Sequence, residues 1–592
     1  MIPRKVSLVR ATEAIALAPS WRFSFKLAAK ALYLWLAHHW EWLLIAGVLL
    51  AAALLHGINM FHFPYYEDDE GTYMSQAWAI VKEGQLAPYT YWYDHAPAGW
   101  IQIALWTILT GGFHTFGSVI ESGRVLMLLM QLGSTFMVYR IGKSLSNSVL
   151  VATLAALLFA LSPYGIYFHR RVLLDNITTF WMLLSILLLV SKRLSLNRVW
   201  LSATALGISI LSKELTVFLV PALAFLVAVR TDRSHRWFAT IGWITLVSAI
   251  VSFYVLMATL KGELFPTGTL LGGIAPHVSL LGTLHEQAAR GKDGGLLDLH
   301  SGFWYLARVW AQDDPLLVVG GSLCALLSLP LLLSKTQRSL GVLAAATLSL
   351  WAFLGRGGEI IGFYLVPLLP LLALNVALLL GIAIRRLHAA LAGASGLLLV
   401  RTTQLLVAGL CLTAMLAGYT PRSSDLGFKS NPFILWNDSQ AVAQQQAVGW
   451  VEAHLPPGSR IIIDQYMWTD LHDNYPNRYA FAHYYWKVQD DPAIRDTVFH
   501  NDWRNFDYVI TTIQMLTDVQ NTHMTLVEEV IEHSTVIAHF DTGGWPVDVR
   551  RINNGEGQSL QGQSISVAKR VGTTSTSLRA HGGYIDDKAN RT

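Results

Sequence analysis

The sequence predicts a multi-spanning α-helical membrane protein with a small α/β domain following its last span. Three observations lead to this fold class. Only 14% of the 592 residues are Asp, Glu, Lys or Arg, against roughly 25% in soluble chains, and the mean hydropathy is +0.41. The apolar residues fall in long blocks, at 42–55, 126–138, 149–161, 179–190, 217–229, 241–256, 316–333, 360–382 and 397–416, and with their uncharged flanks several reach the roughly 20 residues that cross a bilayer. Beyond about residue 420 the blocks give way to a polar sequence that alternates between helical and strand periodicity.

The N-terminal segment, 1–40, carries Arg4, Lys5, Arg10, Arg22, Lys26 and Lys30. It reads as a cytoplasmic stretch before a retained first span rather than a cleaved leader. The basic loops at Arg140/Lys143, Lys192/Arg193/Arg198, Arg230/Arg233/Arg236, Lys335/Arg338 and Arg385/Arg386 belong on that same side. They alternate consistently only if the apolar stretch 100–112, which ends in Gly-Gly, lies along the outer interface instead of crossing. The spans are then 41–58, 124–140, 147–163, 177–191, 199–212, 216–230, 238–259, 315–334, 339–354, 360–383 and 398–419, about eleven helices within a membrane domain at 41–420. Loops 59–123 and 260–314, the turn 164–176, and everything after 420 fall on the outer face.

That face carries the polar chemistry. Four acids, Glu67, Asp68, Asp69 and Glu70, precede a helix-like run, where free amides and the helix dipole favour negative charge. An exposed acidic cap is the plain reading, but the neighbouring tyrosines and the membrane boundary argue for more. His95 and Pro97 follow a cluster of aromatics, Tyr89, Tyr91, Trp92 and Tyr93, which serve equally as interface anchors or as a platform for sugar rings. Arg170 and Arg171 lie outside against the usual bias, five and four residues before Asp175, and arginines so placed pair with acids or bind phosphate. Lys213 and Glu214 interrupt two apolar segments at the outer boundary. Ionisable groups at such depth are costly, and they read either as a local Lys–Glu pair ending two helices or as functional groups.

In the outer domain, 421–554, the pattern predicts a helix at 441–454, strands at 460–464, 506–512 and 536–540, and helical material near 526–529. No glycine-rich phosphate loop is present. Trp468, His472, Asp473, Tyr475, His483, Tyr484, Tyr485 and Trp486 form an aromatic, polar stretch that either touches a carbohydrate or packs against the membrane body. Residues 555–592, rich in Ser, Gly, Thr and Gln, are expected to be a disordered tail. Cys324 and Cys411 lie in apolar segments and read as packing residues.

The acidic pair Asp69-Glu70, His95-x-Pro97, Arg170 or Arg171 with Asp175, Lys213, and Tyr364-Leu365-Val366-Pro367 occur in an order that resembles the GT-C superfamily. These are multi-spanning glycosyltransferases that use polyprenyl-phosphate sugars, and the nearest groups are the protein O-mannosyltransferases and the aminoarabinose transferases of lipid A. The resemblance covers about residues 40–420. It implies inverting transfer of a sugar from an undecaprenyl-, decaprenyl- or dolichyl-phosphate donor to a lipid, glycan or protein acceptor outside a bacterial plasma membrane. Asp69, with Asp68 and Glu70 beside it, would accept or orient the acceptor's proton. Arg170, Arg171, Lys213 and His95 would neutralise the donor phosphate, with Asp175, Glu214 and Tyr364 in support, and Mg2+ or Mn2+ could bind through Asp69 and Asp175. Two departures stand out: His95-Ala96-Pro97-Ala98 lacks the usual paired prolines, and the extra acids Glu67 and Asp68 leave the catalytic residue open between Asp68 and Asp69. A transporter of lipid-linked saccharides and a glycan-binding scaffold are the alternatives. The net charge of +4 gives no reason to expect a nucleic-acid partner.

Overall fold

A computed structural model describes residues 21–289, 294–358, 360–391, 396–416, 434–474 and 478–553. Arg4, Lys5, Arg10, Glu359, Tyr475 and the tail 555–592 therefore lie outside the described residues. The chain is a helical membrane body followed by an α/β domain. Among the described residues, six helices are long and apolar enough to cross a bilayer: His38–Gly57, Val119–Ser146, Arg236–Leu260, Leu316–Leu333, Gly362–Ala389 and Leu399–Leu416. One bent helix pair, a broken span or a re-entrant loop, brings the number to seven if it is counted as one span. Val149–Ala160 and Pro163–His169 meet at a 60° bend, where Pro163 cannot donate a backbone hydrogen bond and the Ser162 hydroxyl caps Gly165 N at 3.0 Å. Helices also occupy the other expected spans, Leu174–Val190, Leu196–Ser212, Val220–Arg230 and Arg338–Leu354.

Small and hydroxyl residues let these helices close on one another, as is usual where lipid removes any hydrophobic preference for protein contact. Ser185 and Ser202 hydroxyls meet at 2.9 Å, Trp243 Nε1 donates to Ser202 at 3.3 Å, and a Cβ on Gly142 would lie 3.1 Å from Ala152 Cα. Arg236–Leu260 and Leu399–Leu416, by contrast, present most of their apolar surface outward, as lipid-facing helices do.

The Ala98–Thr110 helix does not cross. Its 13 residues rise about 20 Å, short of a hydrocarbon core of about 30 Å, and it lies over the ends of other helices. Trp106 Nε1 donates to Ser122 O at 2.9 Å, and Gln102 bonds Ser212 and Trp181. The α/β domain touches the chain on both sides of this helix: Trp78 donates to Asp473 at 3.0 Å, and Val119 N donates to Asp470 at 3.1 Å. Both ends of the helix therefore lie on that domain's side.

The domain's sheet has the order β2-β1-β3-β5-β4, with β1 at Ile461–Ile463, β2 at Ala482–Tyr484, β3 at Tyr508–Thr512, β4 at Ser534–Phe540 and β5 at Val547–Ile552. β1 pairs in parallel with β2 and β3, and β5 is antiparallel to both β3 and β4. The all-apolar β1, buried throughout, is what a central parallel strand requires. β2 and β5 were not expected from periodicity. β2 hides in the aromatic stretch, whose side chains mostly pack on the segment 59–123: Trp468 meets Trp78 edge-on at 5.1 Å and donates to the Tyr89 hydroxyl at 2.8 Å.

Candidate active site

The acidic tetrad starts the Asp68–Glu83 helix, and helical geometry divides it. Glu67 and Glu70, three residues apart, share a face and form a reciprocal capping box. Glu70 is fully buried; Arg124 grips it from Nε at 2.9 Å and Nη2 at 2.6 Å, and Val172 N donates to it at 2.9 Å. Glu67 accepts from Arg171. Burial raises its carboxyl to about 7, against the pull of the Arg171 charge. Glu67, Asp68 and Asp69 line a cavity of about 710 Å³ whose wall also includes Tyr73, His95, Phe363 and Lys487, and Glu70 alone of the four does not.

On the membrane side of this cavity the sequence's separate candidates converge. The helix Leu196–Ser212 breaks at Lys213, which is extended (φ −158°, ψ 127°), before the tight turn Glu214–Leu219. The break sends the two charges to different partners. Lys213 Nζ donates to Asp175 at 2.6 Å and sits 4.5 Å and 4.6 Å from the ring centres of Phe363 and Tyr364. Glu214 accepts from Ala96 N at 2.7 Å and meets His95 Nδ1 at 2.9 Å. Lys213 and Glu214 are thus not the local pair that adjacency suggested. Burial works against the charged form of His95, but Glu214 prevails and raises its pKa. The Tyr73 hydroxyl donates to Asp69 at 3.2 Å, and the Tyr73 ring lies 6.5 Å from that of His95. Asp69, Tyr73, His95, Glu214, Lys213, Asp175 and Tyr364 form one connected set, with Asp69 and His95 on the cavity wall and the Lys213–Asp175 pair behind it.

The opposite wall comes from the α/β domain. The Tyr485 hydroxyl lies 2.6 Å from Asp68 and 2.8 Å from Asp518. Burial, with the neighbouring charges of Asp464 and Asp518, pushes Asp68 well above the usual carboxylate range, which suits it poorly to being an ionised base. Lys487 Nζ rests 4.5 Å from the Trp92 ring centre. Lys487, Asp464 and Asp518 were missed in the sequence. The aromatic run ending at Trp486 was the available signal for Lys487, while the two acids become neighbours of Asp68 only through the sheet.

Of the expected site residues only Asp68, Asp69 and His95 line the cavity; Lys213, Asp175, Glu214 and Tyr364 stand behind it, and three others are engaged elsewhere. Arg170 is buried and donates to the carbonyls of Phe63 and Leu55 at 3.3 Å and 2.7 Å. Arg171 is held by Glu67 and the Tyr167 hydroxyl, and Glu70 by Arg124. All three hold the turn 164–176 and the first loop together. The carboxylates also do not fit Mg2+ or Mn2+. Among the described residues no three His, Cys, Asp or Glu side chains gather as a cation site, Asp175 already pairs with Lys213, and Asp69 accepts from Tyr73.

The architecture, a multi-spanning helical body followed by a mixed α/β domain, is consistent with the GT-C fold. Residues 95–259 match the family described as dolichyl-phosphate-mannose-protein mannosyltransferase. Among solved structures, the chain is similar to ArnT from Cupriavidus metallidurans bound to undecaprenyl phosphate, at 13% identity and TM-score 0.52 over 88% of this chain and 100% of that one. It is also similar to the archaeal oligosaccharyltransferase AglB from Archaeoglobus fulgidus in complex with an inhibitory peptide and a dolichol-phosphate, at 13% identity and TM-score 0.50 over 89% and 76%. At these identities the likeness is one of fold. No curated protein matches the sequence.

Proposed function

We propose that the protein transfers a sugar, with inversion, from a polyprenyl-phosphate donor to an acceptor hydroxyl or amine on the extracytoplasmic face. The observation that carries the reading is Asp69 on the wall of the 710 Å³ cavity, beside Tyr73 and His95 and enclosed by both domains. The matched family and the lipid phosphates named for ArnT and AglB support it.

In this mechanism Asp69 accepts the acceptor's proton as its oxygen or nitrogen attacks the anomeric carbon. The bond from that carbon to the phosphate oxygen breaks on the opposite face, and polyprenyl phosphate leaves with the electron pair. His95, kept protonated more readily by Glu214, and Lys487 on the facing wall stabilise the charge that develops on the phosphate. Lys213, tied to Asp175, holds the charged layer behind them in register.

Purified protein supplied with a radiolabelled polyprenyl-phosphate sugar tests this. Asp69→Asn is expected to lower transfer by about 10²–10⁴-fold, the usual worth of a positioned base, with the folded protein retained. Full transfer by the variant overturns the role of Asp69. Failure of the wild type with every lipid donor overturns the transferase reading.

A further inference from the structure

We propose that the loop leaving the Arg236–Leu260 helix is a membrane-seated element whose leucine tip lies among the acyl chains of the leaflet on the cavity's side. The inference does not depend on the sugar-transfer reading.

Composition is the first support. From Leu264 to Leu284 there is no Asp, Glu, Lys or Arg, although the segment lies outside the span in a region where water-facing loops are normally charged. Exposure is the second. Leu271 is 98% exposed, Leu270 79% and Ile274 59%. Single exposed leucines are ordinary on protein surfaces, but these are contiguous and continue from the exposed Phe253, Leu256 and Leu260 at the end of the lipid-facing Arg236–Leu260 helix.

The backbone is the third support. A segment entering lipid must satisfy its own peptide groups because water is not there to do so. Along its stem, though not at the amides of Leu270, Leu271 and Gly273, the loop does this by folding back on itself: Leu280 N donates to Glu263 O at 2.9 Å, Leu281 N to Leu264 O at 3.1 Å, His277 N to Pro266 O at 2.9 Å and Ile274 N to Thr267 O at 3.2 Å. At the tip, Gly272 N donates to Thr269 O at 3.2 Å, and the Thr269 hydroxyl bonds Gly272 O. Charge returns only at the root, where Lys261 pairs with Glu263 at 2.7 Å, as a basic residue does at the lipid–water boundary.

The root is also fastened to the cavity rim. The Tyr93 hydroxyl donates to Glu263 at 2.5 Å, the Thr283 hydroxyl to Trp92 O at 2.6 Å and Gln287 to Asp94 O at 3.1 Å, which are the residues just before His95. A tip held in lipid thereby fixes the height of the cavity mouth above the leaflet.

The test places nitroxides at Leu271→Cys and, separately, Ile274→Cys in the full chain, with Cys324 and Cys411 replaced by alanine and the protein reconstituted in phosphatidylcholine–phosphatidylglycerol nanodiscs. Leu271 has almost no packing to lose, so its variant reports on a folded protein. The expected result is higher accessibility to oxygen than to a nickel chelate, as at a Leu256→Cys control. Preferential nickel access, matching an Arg504→Cys control on the outer domain, overturns the proposal. Protection from both reagents also overturns it, because the tip would then be covered by protein such as a second copy of the chain.

Discussion

At the scale of single residues, four adjacent acids perform two different tasks. Spacing along a helix explains the division: Glu67 and Glu70 form the capping box and are held by arginines, while Asp68 and Asp69 line the cavity free of any arginine, with Glu67 reaching its wall as well. The sequence located the tetrad and its place at a helix start, but the plain reading of an exposed cap fails, because the capping pair Glu67 and Glu70 is buried. What it could not supply was Arg124, a basic residue at the start of an apolar span whose guanidinium is fully buried against Glu70. Removing one member of such a pair strands the other charge in the interior, which costs about 3–5 kcal/mol. Arg124→Met is therefore expected to lower the thermal unfolding midpoint sharply. The double variant Arg124→Met/Glu70→Leu should recover much of the loss, because no charge is left unpaired. Equal destabilisation by the single and double variants would remove the pair from its bracing role. Asp69→Asn should leave the midpoint almost unchanged, which separates the residue assigned to chemistry from those that hold the loop. The pairing of His95 with Glu214 and of Lys213 with Asp175 was illegible for a related reason. Adjacency suggested Lys213–Glu214, and only the extended backbone at Lys213 sends the two side chains apart.

At the scale of elements, the Asp68–Glu83 helix is clamped by the α/β domain, and the closeness of the fit gives a direct prediction. A Cβ on Gly71 would lie 2.3 Å from the Gln465 carbonyl carbon and oxygen and 2.5 Å from Tyr466 N. Backbone cannot swing aside as a side chain does, so Gly71→Ala should push the helix Gln465–Asn474 off the loop. Faster proteolytic cleavage between the two domains is the expected readout. A second prediction concerns pH. Burial raises Asp470 from 3.8 to about 7, while the amide of Val119 favours its charged form and Glu452, Glu121 and Asp473 oppose it; His114 faces it at 3.6 Å. A carboxyl whose folded pKa is raised stabilises the fold fully below its unfolded pKa and loses that contribution as pH rises through the folded value. The seating of this helix should accordingly weaken between about pH 4 and pH 7, by at most ~4 kcal/mol. Hydrogen exchange across residues 465–474 at pH 5 and pH 8 would reveal it, and Asp470→Asn should flatten the difference. The helix at 441–454 and strands β1, β3 and β4 were legible because their apolar residues keep one period. β2 was not, since its His and Tyr residues are buried against another part of the chain rather than in the domain's own core.

At the scale of the whole molecule, hydropathy located the apolar helices at the expected spans but missed Pro163–His169, Leu280–Ala289 and Gly302–Asp313 in the segments read as a turn and a loop. Among the described residues only six or seven helices are long and apolar enough by themselves to cross. The shorter ones depend on buried contact with their neighbours, which periodicity cannot measure. The decisive element is Ala98–Thr110, because counting it as a crossing would invert every later loop and place Asp175 and Lys213 on the opposite side from Asp69. Its apolar sequence resembles a span, and its length argues against one. The stronger evidence is that Asp473 bonds Trp78 and Lys82 before the helix, while Asp470 takes the amide of Val119 after it. A single domain cannot reach both flanks of a crossing helix. In a chain lacking Cys324 and Cys411, cysteines introduced at the exposed positions Gln85, Thr115 and Arg504 should therefore react together with a membrane-impermeant maleimide from the outer side of intact cells. Arg233→Cys should react only after lysis. Labelling of Gln85→Cys and Thr115→Cys from opposite sides would overturn the topology and separate Asp69 from Lys213, and the candidate active site could not then exist as one site.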